Sequence, residues 1–398
     1  DLYTYVSGRG WLISSETWDF KSFNVEYSVF MEPPFYLPSP ILKIGAASFS
    51  DDGEYLAAGS SDSNQQNGSV YLISLKPGAE GELWDRNTNN SAISSVAVSD
   101  NGTYVAAGGY WTGMVYGSGM VYLFNKVGNM LWNYSTGTSA VWQVSILPNG
   151  SGILAGDERG LIYFNDAGHV LWNYTFPYQG SSTRFAVSGN GQYIVVAVQN
   201  MLLPNETNFR WGVFYLNSSG HVLWSYTGDY SGVNYVQMSN NGQDVAVGTL
   251  VNGYNGSVYY FNGMNGRVLW KEQAYTAVQP LLMSVDGSHL ASGGNVGVLL
   301  FNSKGNVLWN RTTGQPLGFI QGDPFVVVSE FSSCPNLVLV GYDGTTVLTI
   351  EVEHLTSVDF SQTNSEWVAF EGSIAGDGQC GAADLFNGTT GLYSVPIC

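Results

Sequence analysis

The sequence is poor in charge, and above all in positive charge. Only 11% of the 398 residues are charged, and 13 Lys and Arg stand against 31 Asp and Glu, a formal net charge of −18. Such a chain repels the phosphate backbone of nucleic acids and anionic lipid surfaces. We therefore expect neither a nucleic-acid partner nor binding to a membrane surface.

Long apolar runs are also lacking. No stretch approaches the ~20 apolar residues that a membrane helix needs, so no transmembrane segment is expected. The first residue is Asp1 rather than Met, which favours a mature chain from which a signal peptide has been removed. The Tyr/Asn/Ser-rich, Lys-poor composition resembles that of secreted archaeal surface proteins.

Asn-x-Ser/Thr sequons are frequent, and they have meaning only in secreted proteins. The eleven sequons are at Asn67, Asn89, Asn101, Asn133, Asn149, Asn173, Asn205, Asn217, Asn255, Asn310 and Asn387. Asn-Gly-Ser/Thr is also good turn chemistry, which is the alternative reason for these residues. We predict an extracellular protein of the cell surface, N-glycosylated at several of these sites.

One hairpin-like phrase recurs along the chain. It reads VYLFNKVGNMLW, LIYFNDAGHVLW, VFYLNSSGHVLW, VYYFNGMNGRVLW and VLLFNSKGNVLW, with a degenerate first copy, VYLISLKPGAEGELW. Each copy reads as two strands joined by a tight turn that closes on Gly. The six copies end at Trp84, Trp132, Trp172, Trp224, Trp270 and Trp309.

A second two-stranded unit precedes each hairpin, as in SSVAVSDNGTYVAAGG and RFAVSGNGQYIVVAV, where an Asn-Gly or Asp-Gly turn joins the strands. Four strands per repeat of roughly 40–50 residues is the period of a β-propeller blade. Six clear blades cover residues 46–315, and two weaker ones cover 316–353 and 355–398. We predict an all-β propeller of eight four-stranded blades over 46–398, with seven blades as the alternative.

The recurrent Trp has a structural interpretation. On the outermost strand it would lie over the next blade and fill the wedge that opens toward the rim. We therefore assign the six Trp residues to packing between blades rather than to ligand binding.

The FNxxGxxLW hairpin and the Asn-Gly or Asp-Gly turn resemble the quinoprotein-alcohol-dehydrogenase-like propellers, also called PQQ-like repeats, with a looser similarity to WD40 propellers. The resemblance covers about residues 46–398 and implies the fold, which hosts enzymes, scaffolds and binding modules alike. The dehydrogenases of that family carry a vicinal disulfide, a calcium site and a catalytic Asp on long insertions. This sequence has no adjacent cysteines and few residues beyond the blades, so we expect no cofactor.

Other catalytic or metal-binding patterns are weak. There is no HExxH, CxxC or GxSxG motif, and His169 and His221 each follow the Gly of a hairpin turn, a solvated position. Asp157, Glu158 and Arg159 form a short loop whose carboxylates could do acid–base work or bind calcium, but a solvated loop is the simpler interpretation. We predict no catalytic residue and no metal site.

Three cysteines leave one unpaired if a disulfide forms. With the last hairpin centred on Thr389, Cys380 lies opposite Cys398, and we predict that these two are bridged. A bridge from Cys334 to either of them is the alternative.

Residues 1–45 stand outside the repeat. Residues 1–40 contain alternating, strand-like segments and a Pro-rich break, MEPPFYLPSP. They are either an extension packed on the propeller or an arm that adds a strand to another subunit.

Several aromatic residues fall in the predicted loops of one propeller face, where they would form a recognition surface. They are Tyr110, Trp111, Tyr116, Phe209, Trp211 and Tyr254. The leading hypothesis is a non-catalytic, glycosylated, extracellular structural or adhesive module that self-assembles into filaments or arrays, or binds other surface proteins or glycans. A carbohydrate-binding propeller and a quinoprotein-like oxidoreductase are the alternatives.

Overall fold

The structure is a computed structural model. It describes residues 3–5, 11–13, 18–20, 23–25 and 42–397, apart from 51, 63–66, 77–78, 80, 89–90, 112–117, 138, 148–149, 151, 177–182, 202–209, 229–231, 251–255, 275–277, 279, 295–296, 321–323, 331–335, 352–356, 361–366, 374–380 and 388–390. Side chains are described only within residues 46–347, outside these gaps.

Apart from a 3-10 helical residue at Gly150, every regular element in the described residues is a β-strand. Four short N-terminal strands form two separate pairs, β1 (Tyr3–Tyr5) with β2 (Trp11–Ile13) and β3 (Trp18–Phe20) with β4 (Phe23–Val25). All later strands belong to antiparallel sheets of four consecutive strands, and there are eight such sheets.

In each of the first four sheets, the four strands lie side by side in chain order. These sheets contain β5 (Leu42–Phe49), β6 (Tyr55–Asp62), β7 (Ser69–Ser74) and β8 (Gly81–Asn87); β9 (Ala92–Val98), β10 (Tyr104–Trp111), β11 (Ser118–Asn125) and β12 (Met130–Ser135); β13 (Val141–Ile146), β14 (Ile153–Asp157), β15 (Gly160–Phe164) and β16 (Val170–Thr175); and β17 (Thr183–Val187), β18 (Tyr193–Met201), β19 (Arg210–Asn217) and β20 (Val222–Thr227).

The last four sheets repeat this order. They contain β21 (Gly232–Met238), β22 (Asp244–Leu250), β23 (Ser257–Asn262) and β24 (Val268–Gln273); β25 (Leu281–Met283), β26 (His289–Gly294), β27 (Gly297–Asn302) and β28 (Val307–Arg311); β29 (Gln315–Phe319), β30 (Phe325–Glu330), β31 (Asn336–Gly341) and β32 (Thr346–Glu351); and β33 (Ser357–Phe360), β34 (Trp367–Ser373), β35 (Gly381–Asn387) and β36 (Gly391–Ile397).

The eight sheets are the blades of a ring. The first strand of each sheet contacts the first strand of the next, and β33 contacts β5, so the first strands surround the axis and the fourth strands form the rim. This confirms the prediction of an all-β propeller. The first strand begins at Leu42, inside the segment that the sequence assigned to the N-terminal extension.

The hydrophobic core lies between neighbouring blades. One cluster joins Val70 and Leu72 of the first blade to Val105 and Ala107 of the second, and similar clusters follow around the ring. Close contact between neighbouring blades depends on small residues. A Cβ added at Gly59 would lie 2.4 Å from Cγ2 of Ile93 in the next blade.

Candidate functional site

Each repeated Trp connects its blade to the next. The indole N–H of Trp172 donates a 3.0 Å hydrogen bond to the Ser218 carbonyl oxygen, in the turn between the third and fourth strands of the following blade. The other five make equivalent bonds, Trp84 to Lys126, Trp132 to Asp166, Trp224 to Gly263, Trp270 to Ser303 and Trp309 to Gly341. The six side chains therefore lie at the blade joints.

The glycine that closes each of these turns rests on the Trp ring of the preceding blade. Gly220 has a φ of 78°, and a Cβ there would approach Cδ2 of Trp172 to 2.8 Å. Gly128, Gly168, Gly266, Gly305 and Gly344 have the same relationship to the Trp of their preceding blade. The FNxxGxxLW phrase thus encodes a joint as well as a hairpin, because its Gly receives one Trp and its own Trp covers the next Gly.

A β-bulge precedes the Trp on the rim strand. In the second blade, Trp132 pairs with Leu123 and Met130 with Phe124, so Leu131 is the extra residue. The equivalent leucine is half-exposed in six blades, at Leu83, Leu131, Leu171, Leu223, Leu269 and Leu308. Bulges twist an edge strand and oppose its pairing with other chains.

The predicted glycosylation sites fall into three groups. Asn67, Asn101, Asn133, Asn173 and Asn310 are exposed, and Asn217 is half-buried. Asn387 ends strand β35, where only the backbone is described. Asn89, Asn149, Asn205 and Asn255 lie outside the described residues.

Two of the predicted recognition aromatics lie together at the end of one strand. Tyr110 and Trp111 are half-exposed at the end of β10, and the Tyr110 ring lies 5.7 Å from that of Trp142 on the first strand of the next blade. The Trp142 indole N–H is buried and has no hydrogen-bond partner among the described residues. Trp142 was not among the residues predicted from the sequence, because only the packing of the second blade on the third brings it beside Tyr110.

The placement of Trp211 on this surface is wrong. Trp211 is fully buried, and its ring packs at 5.5 Å from that of Tyr226 and at 5.0 Å from that of Tyr259. The reason is that β19 begins at Arg210, so Trp211 belongs to a strand and not to a loop. Its side chain packs between the fourth and fifth blades. Tyr116, Phe209 and Tyr254 lie outside the described residues.

Asp157, in the candidate acidic loop, stabilises the turn between β14 and β15. Its Oδ1 accepts hydrogen bonds from the backbone N–H groups of Arg159 (2.7 Å) and Gly160 (2.8 Å), and its Oδ2 lies 3.6 Å from the Arg159 guanidinium. Burial raises the pKa of this carboxyl above its ordinary value, although the same contacts oppose the rise. The carboxylate oxygens that acid–base chemistry would need are therefore bonded within the turn itself.

A second polar cluster contains the residue types of a hydrolytic triad. Ser288 Oγ lies 2.7 Å from both Asp286 Oδ1 and His289 Nδ1, and the imidazole stacks on Tyr342. Burial alone would raise the pKa of Asp286, but hydrogen bonds from Ser284 and Ser288 hold it below its ordinary value. The Asp286 carboxylate is bonded to the hydroxyl and backbone N–H of Ser288, whereas the Asp of a triad is bonded to the histidine ring and orients it.

Asp286 also belongs to a turn repeated between the first two strands of five blades. The Ser hydroxyl donates to the Asn or Asp Oδ1 two residues later and accepts the backbone N–H five residues later. The five turns begin at Ser50, Ser99, Ser188, Ser239 and Ser284. A recess of about 500 Å³ lies between three of them, lined by Gly189, Asn190, Asn240, Asn241, Val285 and Asp286.

The predicted turn histidines are at the surface. His169 and His221 are exposed, and their backbone N–H groups donate to Asn165 and Asn217. In the described part of the chain, no three His, Cys, Asp or Glu side chains come close enough together to hold a metal ion.

The last hairpin has the register that the sequence predicted. Gly381 pairs with Ile397 and Phe386 with Leu392, which centres the hairpin on Thr389. Cys334, Cys380 and Cys398 lie outside the described residues, so their pairing stays a prediction.

Comparison with known proteins agrees with this architecture. The family model described as outer membrane protein assembly factor BamB matches residues 212–390, just under half of the chain. The chain is a β-propeller that is similar to PQQ-like and WD40-like propellers. None of the curated proteins matches it.

Solved structures show the same fold at low sequence identity. The Dos1 propeller is 13% identical, with 90% of this chain and 95% of that chain covered and a TM-score of 0.62. Sqt1 of Chaetomium thermophilum, bound to the N-terminus of the ribosomal protein L10, is 14% identical over 82% and 93% of the chains, with a TM-score of 0.62. BamB of Moraxella catarrhalis is 14% identical over 83% and 97%, with a TM-score of 0.55. In the described part of this propeller, no helix has the length and apolarity needed to span a bilayer.

Proposed function

We propose that this protein is a non-catalytic, N-glycosylated extracellular propeller that serves as a structural or adhesive module of the cell surface. In this proposal it self-assembles into filaments or arrays through residues 1–40. The observation that carries the proposal is that all eight blades are built from consecutive strands of residues 42–397. The ring needs no strand from the N-terminal segment, which leaves that segment available to another copy.

The N-terminal segment has the properties of such an arm. It already contains four short strands, and none of them pairs with a strand of the eight sheets. The comparisons add a precedent in the fold, since Sqt1 is a propeller that was solved with the N-terminus of another protein bound. The matching family model is named for an outer membrane protein, which favours the cell envelope as the location.

The polar clusters support a non-catalytic role. The carboxylates of Asp157 and Asp286 accept hydrogen bonds within their own turns, and Ser288 donates toward the carboxylate. These bonds explain why acidic and hydroxyl side chains occur at these positions without a reaction to perform.

Deleting residues 1–36 tests the arm. We expect the full chain to form filaments or arrays in negative-stain micrographs and the deletion to remain a single particle with the same circular dichroism and melting temperature. A synthetic peptide of residues 1–36 should bind the truncated ring and block assembly of the full chain. A truncated chain that still assembles, or a full chain that stays monomeric at high concentration, would contradict the proposal.

Carbohydrate binding is a second candidate, because Tyr110, Trp111 and Trp142 provide half-exposed aromatic rings and a buried indole N–H without a described partner. Aromatic rings with a nearby donor are suited to stacking on a sugar and bonding its hydroxyl groups. If the site is used, Trp111→Ala abolishes binding on a glycan array while the melting temperature stays the same. Trp84→Ala, at a blade joint, is the matched control, because it lowers stability without touching this site.

A further inference from the structure

Three rim strands share one sequence pattern around the repeated Trp. In the second, third and sixth blades the exposed leucine before the Trp is followed, two residues later, by the Asn of a sequon. The pairs are Leu131 with Asn133, Leu171 with Asn173, and Leu308 with Asn310.

The two members of each pair both face solvent. Although the bulge at the leucine interrupts the alternation of side chains along the strand, the residues on either side of the half-buried Trp are both exposed. Leu171 is 54% exposed and Leu308 is 40% exposed, and the following Asn173 and Asn310 are exposed as well. Each asparagine therefore stands beside an apolar side chain that the propeller does not cover.

The second blade shows where the asparagine amide points. The Nδ2 atom of Asn133, to which a sugar would be joined, lies 3.6 Å from Sδ of Met130, the residue before Leu131. Met130 is 52% exposed and Leu131 is 46% exposed. A group attached to Nδ2 thus begins directly over the apolar residues at the bulge.

We propose that the innermost sugar of an N-linked glycan on Asn133, Asn173 and Asn310 packs its C–H face on the leucine two residues earlier. This inference rests on the proposed glycosylation. The packing removes exposed apolar surface from water and holds the rim strand against its neighbour. The glycan then acts as an outer layer of each of these blades and not only as a solubilising chain.

The other three rim strands that carry the repeated Trp are natural controls. Leu83, Leu223 and Leu269 are exposed to a similar degree, but Asp85, Ser225 and Lys271 occupy the position of the sequon Asn. In the fourth blade, Thr227 already stands two residues after Ser225, so Ser225→Asn alone creates a sequon beside Leu223.

A double-mutant cycle in the third blade tests the packing. Thr175→Ala removes the sequon but keeps Asn173, and Leu171→Ser removes the apolar partner. All four chains are produced in a host that N-glycosylates secreted proteins and in one that does not. We expect the glycan to raise the melting temperature by about 1–2 °C with Leu171 present and to have no effect with Leu171→Ser. The second host measures what the substitutions do without sugar.

The fourth blade provides the reverse test. Ser225→Asn should gain a glycan, raise the melting temperature and slow amide hydrogen exchange in β20, and combination with Leu223→Ser should cancel both effects. Peptide mass spectrometry first establishes whether each asparagine carries sugar. Unmodified Asn133, Asn173 and Asn310 would overturn the glycosylation proposal and this inference together. Modified asparagines whose glycan gives equal shifts with leucine and with serine would overturn this inference alone.

Discussion

The indole N–H of Trp84 donates a 2.9 Å hydrogen bond to the carbonyl oxygen of Lys126, which belongs to the next blade. Its ring also covers Gly128 in the same turn. The bond crosses 42 positions of sequence and recurs at five further joints around the ring. Each joint thus combines apolar packing with one directed bond.

Substitutions of Trp84 separate these two contributions. Trp84 is 5% exposed, so Trp84→Ala should cost about 3–5 kcal/mol, because it leaves a cavity between blades. Trp84→Phe keeps an aromatic ring and loses the N–H, so we expect about 1–2 kcal/mol. Urea unfolding measures both values. Equal costs for the two variants would show that the hydrogen bond dominates the joint.

Gly220→Ala tests the close contact on the Trp ring. Gly137→Ala is the matched control, because Gly137 has a similar φ of 84° and the nearest atom to an added Cβ is 4.0 Å away. Both variants incur the left-handed backbone cost of about 1–2 kcal/mol. Gly220→Ala should cost about 1–3 kcal/mol more, since the Trp172 ring must move. Unfolding free energies that agree for the two variants would contradict the proposed contact.

Asp157 predicts a specific pH dependence. Its pKa is raised by burial in the folded chain, so its stabilising contribution is complete below the unfolded pKa and is lost as pH rises through the folded value. Asp157→Asn should therefore be at least as stable as the parent at neutral pH and should flatten the stability curve in mildly acidic solution. Asp157→Ala should be less stable by about 1–3 kcal/mol, because the buried N–H of Gly160 and the partly buried N–H of Arg159 lose their acceptor. The measurement is the melting temperature across the acidic pH range. A melting temperature of Asp157→Asn that changes with pH as steeply as that of the parent would contradict the prediction.

The predicted disulfide follows from the register of the last hairpin. Since Gly381 pairs with Ile397, the next positions outward are Cys380 and Cys398. Non-reducing peptide mapping should show these two joined, and reduction should cost about 3 kcal/mol of unfolding free energy. A peptide that joins Cys334 to either residue would contradict the prediction.

The blades could be predicted from the sequence because each repeats the same local pattern of strand, Gly turn and Trp. The side chains that meet between neighbouring blades could not be predicted as well. Strand β19 is buried along both faces from Trp211 to Leu216, so it shows no alternation from which to place Trp211. Trp142 and Tyr110 meet only because neighbouring blades are joined. At Asp157 the sequence favoured a solvated loop and left acid–base chemistry or calcium binding as the alternative, because it does not show that the Asp157 oxygen accepts from the backbone N–H groups of Arg159 and Gly160.

The repeated Ser turns have a consequence for chemical durability. Asn-Gly is prone to lose its amide nitrogen when the glycine nitrogen attacks the asparagine side chain, and asparagine is accordingly counted among the thermolabile residues. In the turn at Asn241 that nitrogen, on Gly242, donates a 2.8 Å hydrogen bond to the Ser239 carbonyl oxygen, and Asn241 Oδ1 is bound by the Ser239 hydroxyl. One blade later, Gly287 N–H donates to the Ser284 carbonyl oxygen and the Ser284 hydroxyl donates to Asp286 Oδ1 in the same way. Deamidation of Asn241 is therefore hindered in this turn. An aspartate formed there would still accept the hydrogen bond from the Ser239 hydroxyl, as Asp286 does from Ser284.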